Sequence, residues 1–291
     1  MTVETGTMDV HQHLLPSSFI EALRRRKAPP RIIGDELETS EGRFSFDPGE
    51  HDPQLRLAAL DRHEVDLAVL SLQDTLGLGS LDPEDRAELV AAWEEGIVEI
   101  VTDTRGRFAA LAAGPTRAGF VGSCVGSDAL GSPEGLTVVV ESVRSHGGFV
   151  LVHPSGGPVP AMAPSWWGAV ALYTAQMQGA YLAWLAHGQE RWPDVAIVFS
   201  ILAGGAPFQL ERLASRGTDV RSLLYRNVYF DTASYGRRAL ELCVETFGVE
   251  QLVYGSDAPV IDPEPTRRAV RGFGESVERL ITCDNPNRLL A

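Results

Sequence analysis

Short, continuously apolar runs alternate with longer segments in which apolar residues recur at helical spacing, almost from one end of the chain to the other. The runs predict strands at Thr7–Val10, Leu67–Leu72, Phe108–Ala113, Phe120–Val125, Phe149–Val152, Val195–Leu202, Val228–Asp231 and Gln251–Tyr254. The periodic segments predict helices over 53–63, 83–104, 133–146, 167–191, 207–223, 236–247 and 263–281. Several open on proline, whose missing N–H does no harm in a first turn, and His146-Gly147-Gly148 has the form of a glycine-terminated helix end. Many strands are apolar throughout rather than alternating, which a parallel sheet covered on its outer face requires.

Eight strand candidates, each followed by a helix or long loop, in 291 residues point to a single (β/α)₈ TIM barrel spanning 1–291. The rival is an open doubly wound sheet, which usually announces itself by a glycine-rich phosphate turn after its first strand. Here that strand leads into His11-Gln12-His13-Leu14-Leu15-Pro16 instead. The weakly periodic, charged segment at about 16–51 reads as a βα excursion or lid near the barrel mouth.

Charge removes some functions. The formal charge of −14 repels phosphate backbones and anionic lipid, and the Arg24-Arg25-Arg26-Lys27 cluster is too small to reverse it. No nucleic-acid or membrane partner is expected; a small-molecule substrate is, with a homodimer as the candidate assembly. The three cysteines, Cys124, Cys243 and Cys283, have no CxxC spacing, and Cys124 reads as packing. A reducing compartment follows, and MTVETGTMDV lacks the basic and apolar regions of a signal peptide, so a cytoplasmic location is expected.

In a barrel the working side chains project from the C-terminal ends of the strands. Three such ends carry chemistry: Asp9-Val10-His11-Gln12-His13, Leu151-Val152-His153-Pro154 and Tyr254-Gly255-Ser256-Asp257. A lone histidine there is more often structural than a ligand, and HxH alone is a weak motif. Strands one, five and eight of a closed barrel could, however, bring all four groups to its axis, and histidines plus a carboxylate suit Zn²⁺ or a similar divalent ion.

With these residues the chain resembles the amidohydrolase-related proteins of the aminocarboxymuconate semialdehyde decarboxylase type, metal-dependent (β/α)₈ enzymes of hydrolysis or non-oxidative decarboxylation. The resemblance runs through DVHQHLLP, RLAALDRHEVDLAVLSL, GRFAALAA, LVHPSG, ERWPDVAIVFSILAGGAP, NVYFDTAS, YGSDAP and ITCDNPNRLL, in that order. It implies that His11, His13, His153 and Asp257 hold one divalent ion and that substrates are small carbonyl or carboxylate compounds.

The sequence departs from that family at strand six. Family members usually end it in a histidine that serves as base or proton donor; here Ile201 stands in that position, and no His, Lys, Asp or Glu occurs from Ala196 to Ala206. Asp257 is then the expected proton carrier. Asp74, Asp128 and Asp231 are within reach of the mouth but read more readily as cap or turn residues. Asp74, Ile201, Trp166 and Trp167 are the candidate pocket residues, the tryptophans either as a roof over an apolar ligand or as surface-anchored packing. Tyr173, Tyr181 and Trp184 read as core, and His63 and His187 as helix-end residues without a catalytic role.

Because decarboxylation needs a proton donor to carbon, losing the strand-six histidine compromises it more than hydrolysis by an ion-activated water. Hydrolysis of a C–N or ester-type bond is the leading expectation. Decarboxylation is the runner-up, followed by a cyclase, hydratase, isomerase or binding protein on the same barrel.

Overall fold

The computed structural model describes residues 6–131, 133–224 and 227–290. Eight parallel strands form the barrel: β1 (Met8–His13), β5 (Leu67–Ser71), β6 (Phe108–Ala110), β7 (Gly122–Gly126), β8 (Phe149–His153), β9 (Ala196–Phe199), β10 (Val228–Asp231) and β11 (Leu252–Val253). Two seams close it. Ala112 N–H donates to Gly122 O at 3.0 Å between β6 and β7, and Val10 N–H donates to Tyr254 O at 2.9 Å between β11 and β1. The main helices outside are α2 (Pro53–Arg62), α3 (Pro83–Asp103), α4 (Pro133–His146), α5 (Tyr173–Ala183), α7 (Ala206–Ala214), α8 (Arg237–Phe247) and α9 (Glu264–Arg271), with the short α6 (Gln189–Arg191), α10 (Glu275–Arg279) and α11 (Asn285–Leu289). Among the described residues, no helix is long and apolar enough to cross a membrane.

Each strand is buried on both faces because its two side-chain sets meet different layers. Met8, Val10, Val69, Cys124, Leu151, Val198, Tyr229 and Val253 pack inside the barrel. Their neighbours, such as Leu70, Val150, Val152, Ile197 and Phe230, pack outward against the helices. This alternation places the site. On β8, Phe149 and Leu151 point inward, so His153, one period further, also points inward. On β1 the register with β5 slips between Asp9 and Gln12. This bulge changes the phase, so that Val10 faces in below it and His11 and His13 face in above it.

The sequence expectations fail where glycine or local twist overrides periodicity. The sixth strand, predicted through Leu202, ends at Phe199 because the chain then winds left-handed. The last long helix, predicted over 263–281, is broken at Gly274, whose φ is +94°. The helix predicted over 207–223 stops at Ala214, with Gly217 at φ +89° just beyond.

The segment over 16–51 contains elements not expected from the sequence: α1 (Ser17–Arg25), although its buried Phe19, Ile20, Ala22 and Leu23 recur at helical spacing, and an antiparallel sheet of β2 (Arg31–Ile33), β3 (Glu36–Thr39) and β4 (Gly42–Ser45). The sheet is mostly solvated, β4 over its whole length, and so carries no apolar alternation to read. Helix α1 is held against α3 by Ser18 Oγ, which donates to Ala92 O at 2.8 Å. Fully buried Trp93 on α3 donates from Nε1 to Leu14 O at 2.9 Å, tying α3 to the loop after β1. Trp93→Ala is therefore expected to cost about 3–5 kcal/mol, checked by urea unfolding against the wild type.

Candidate metal centre

His11, His13, His153 and Asp257 offer one ligand atom each, all within 4.8 Å of one another. The imidazole rings stand nearly perpendicular in pairs, with centroids 5.0, 5.2 and 5.0 Å apart. Outer partners decide which nitrogen faces inward. His13 Nδ1 lies 2.9 Å from Ser71 O, and His153 Nδ1 lies 2.9 Å from Pro154 O. A carbonyl oxygen only accepts, so both rings donate through Nδ1–H and turn the Nε2 lone pair to the centre. His11 Nδ1 likewise donates to Asp231 Oδ2 at 2.6 Å.

Three lone pairs and a carboxylate thus face one another. His11 Nε2 and His13 Nε2 are 3.2 Å apart, about the separation of two nitrogens that each lie about 2.0–2.1 Å from one ion. Asp257 Oδ1 is buried, 3.1 Å from His13 Nε2 and 3.7 Å from His11 Nε2, and accepts no hydrogen bond. Such a cluster calls for positive charge, and the donor set fits a divalent metal ion. The local field shows the same demand. Burial pushes His11 down, but Asp231, Asp257 and Asp9 more than reverse this and lift it to about 9. His153 is held well below its usual value by burial and by its two imidazole neighbours.

The sequence profile of the family described as "Amidohydrolase" matches residues 8–291. The chain belongs to that family. It is similar to the 2-amino-3-carboxymuconate-6-semialdehyde decarboxylase of Dictyostelium discoideum, 22% identical over 96% of this chain and 89% of the relative. Among solved structures, the 5-carboxyvanillate decarboxylase of Sphingomonas paucimobilis superposes with a TM-score of 0.75 at 19% identity, covering 99% of both chains. A dihydroxybenzoic acid decarboxylase from Polaromonas, solved with bound manganese, gives 0.75 at 16% identity over 99% of this chain and 97% of the other.

Within this amidohydrolase barrel the cluster opens into a cavity of about 350 Å³. Ile201 is in its wall. Trp166 and Trp167 are not: they stack on each other with centroids 5.9 Å apart, outside the lining, 54% and 37% exposed. The apolar side chains of that segment that reach the cavity are Ala169 and Val170, one helical turn further on. Asp74 is also outside the lining and borders a neighbouring cavity with Asp128 and Cys124.

Tyr173 is a correction: Tyr181 and Trp184 are core residues, but Tyr173 lines the cavity and its hydroxyl donates to Glu41 Oε2 at 2.7 Å. Helical spacing could not separate it from its buried neighbours, because α5 has a cavity at its first turn. Asp231 is the second correction. The expected turn contact is present, since Oδ1 accepts from Ala233 N–H at 3.1 Å, but Asp231 is also a wholly buried carboxylate that orients His11 through Oδ2 and accepts from Ile201 N–H at 2.8 Å through Oδ1. A carboxylate closing the apolar strand Val228–Tyr229–Phe230 was the available signal. Gly255 makes room for this arrangement, since a Cβ there would lie 2.9 Å from the Cβ atoms of His11 and Asp231.

Ile201, Leu202 and Ala203 have φ of +46°, +50° and +50°, and Gly204 and Gly205 continue left-handed. This conformation costs L-residues about 1–2 kcal/mol each, most for a β-branched side chain. The hydrogen bond to Asp231, the donation of Gln178 Nε2 to Gly204 O at 2.6 Å and the burial of all three side chains hold it. The backbone of the turn after β9 is thus held in a demanding shape around an apolar side chain.

Asp231→Asn is expected to weaken metal binding about 10- to 100-fold, measured by competition with a chelator; an unchanged Kd would confine Asp231 to shaping the turn. Asp74 gives a pH prediction. Burial and the neighbouring Asp128 push its carboxyl from 3.8 up to about 7, so the fold favours the protonated form and loses stability as pH rises through that window. The melting temperature of Asp74→Asn should gain on that of the wild type from pH 5 to pH 8; a constant offset would contradict the assignment.

Proposed function

We propose that the protein is a metal-dependent lyase that removes CO₂ from a small carboxylic acid. The observation that carries this reading is the pairing of the cluster with its cavity. Three inward nitrogen lone pairs and Asp257 hold the place for an ion, and no Lys or Arg is in the described lining. A substrate carboxylate can be neutralised only at the cluster. Decarboxylase relatives in sequence and structure support this reading over the hydrolysis favoured by the strand-six argument alone.

Zinc is the proposed ion, on the borderline-soft donor set of three imidazoles and one carboxylate, with manganese as the rival. When bound, the ion supplies a Lewis-acid anchor for the carboxylate. The chain does the rest. Leu37, Leu76, Val170, Ile201 and Val260 surround the substrate with apolar surface, which favours passage from an anion to neutral CO₂. As the carbon–carboxyl bond breaks, its electron pair stays on carbon and takes up a proton. Ile201 has none to give, so Asp257 is the proposed proton carrier, relaying to carbon a proton that its carboxylate first takes from water. The partner is a small molecule, and the proposed location is the cytoplasm, with a homodimer as the proposed assembly.

The test is release of CO₂ from a panel of small aromatic acids by protein carrying about one equivalent of zinc or manganese. CO₂ should appear in step with loss of the acid, and His13→Ala and Asp257→Asn should each lower the rate at least about 100-fold. Purified protein holding under about half an equivalent of metal, or cleavage of amide or ester analogues without CO₂ release, would sink the reading.

A further inference from the structure

Glu41, in the turn between β3 and β4, is held in the cavity wall with unusual care. Its Oε2 accepts from Tyr173 Oη at 2.7 Å and its Oε1 from Gly157 N–H at 3.3 Å. Two glycines make its cradle: a Cβ at Gly156 would lie 2.6 Å from Oε1, and one at Gly168 2.5 Å from Oε2. On the same small sheet Glu38 pairs with Arg31 and Arg43, and Glu36 with Arg43. Half-buried Glu41 has no Lys or Arg partner among the described residues, and the described cavity lining contains none. Tyr173, its donor, stands within electrostatic reach of both Glu41 and Asp257.

A desolvated carboxylate normally has a cationic partner. Here two accepted hydrogen bonds leave about half of its acceptor capacity open toward the cavity. We propose that Glu41 is a recognition residue for a cationic amino group, so that the substrate presents its carboxylate to the histidine cluster and an ammonium group to Glu41. The apolar walls hold the carbon skeleton between the two. A second carboxylate at the Glu41 end is rejected, since it would meet a like charge with no Lys or Arg to offset it. This rests on the reading of the cavity as the site of a carboxylic acid, but concerns binding and not turnover.

The experiment is calorimetric titration of zinc-loaded protein with three probes of one shape: 4-(aminomethyl)benzoate, 4-(hydroxymethyl)benzoate and terephthalate, with their meta isomers to cover the span. The ammonium compound should bind about ten- to a hundredfold more tightly than the dicarboxylate, with the hydroxyl compound between. Glu41→Gln should bring all three within about threefold of one another. Equal binding of the ammonium and hydroxyl probes by the wild type, or equal or tighter binding of terephthalate, overturns the proposal without recourse to a variant. So does an order of affinities that survives Glu41→Gln. Because no CO₂ is measured, failure here leaves the decarboxylase reading standing. Failure of the CO₂ assay, in turn, leaves the order of affinities readable.

Discussion

Four electron-rich atoms that meet at the barrel axis are the constraint on which the rest depends. Nε2 of His11, His13 and His153 and Oδ1 of Asp257 converge only because each histidine has its other nitrogen taken: by Asp231, by Ser71 O and by Pro154 O. Lone pairs so placed repel one another until a cation joins them. Hydrogen bonds from the surrounding structure hold the four groups in place against that repulsion. Closure of β11 onto β1 fixes Asp257, whose N–H donates to His11 O at 2.8 Å, and the bulge in β1 turns two histidines inward.

Asp231 links this centre to the strained turn after β9. One oxygen orients His11 and the other accepts from Ile201 N–H, so a single buried carboxylate joins the metal site to the place where the family histidine is missing. The turn keeps its left-handed path at a cost of several kcal/mol, by the usual penalty of about 1–2 kcal/mol per residue. Ile201 gives this wall an apolar side chain that carries no proton. The polar groups that remain in the lining come from elsewhere, above all Glu41 and Tyr173, which the antiparallel excursion and α5 bring together.

The barrel strands were legible because burial on both faces leaves continuous apolar runs, and the inward ligands were legible because a polar residue at the end of such a run has a reason to be there. Asp231 obeyed the same rule as His153, but a carboxylate after a strand also suits a turn, and local pattern does not choose between them. Trp166 and Trp167 erred in the other direction: large aromatics beside the mouth suggested a roof, yet they sit one turn short of the residues that face the cavity. β2, β3 and β4 left no trace, since strands of three or four residues that bury only Ile32 and Thr39 show too little alternation to read.

By itself, the sequence determined the kind of fold, the four side chains able to hold an ion, and the absence of any His, Lys, Asp or Glu from Ala196 to Ala206. These depend on residue type and on period along one strand, which are local properties. Only the tertiary structure decided which nitrogen of each histidine faces the centre, that Asp231 serves two sites at once, and that Glu41 shares a cavity with His153. Those contacts join residues 220, 30 and 132 positions apart in the pairs His11–Asp231, Ile201–Asp231 and Glu41–Tyr173. Spacing along the chain says nothing about such pairs, because barrel closure, and not local periodicity, sets the distance between them.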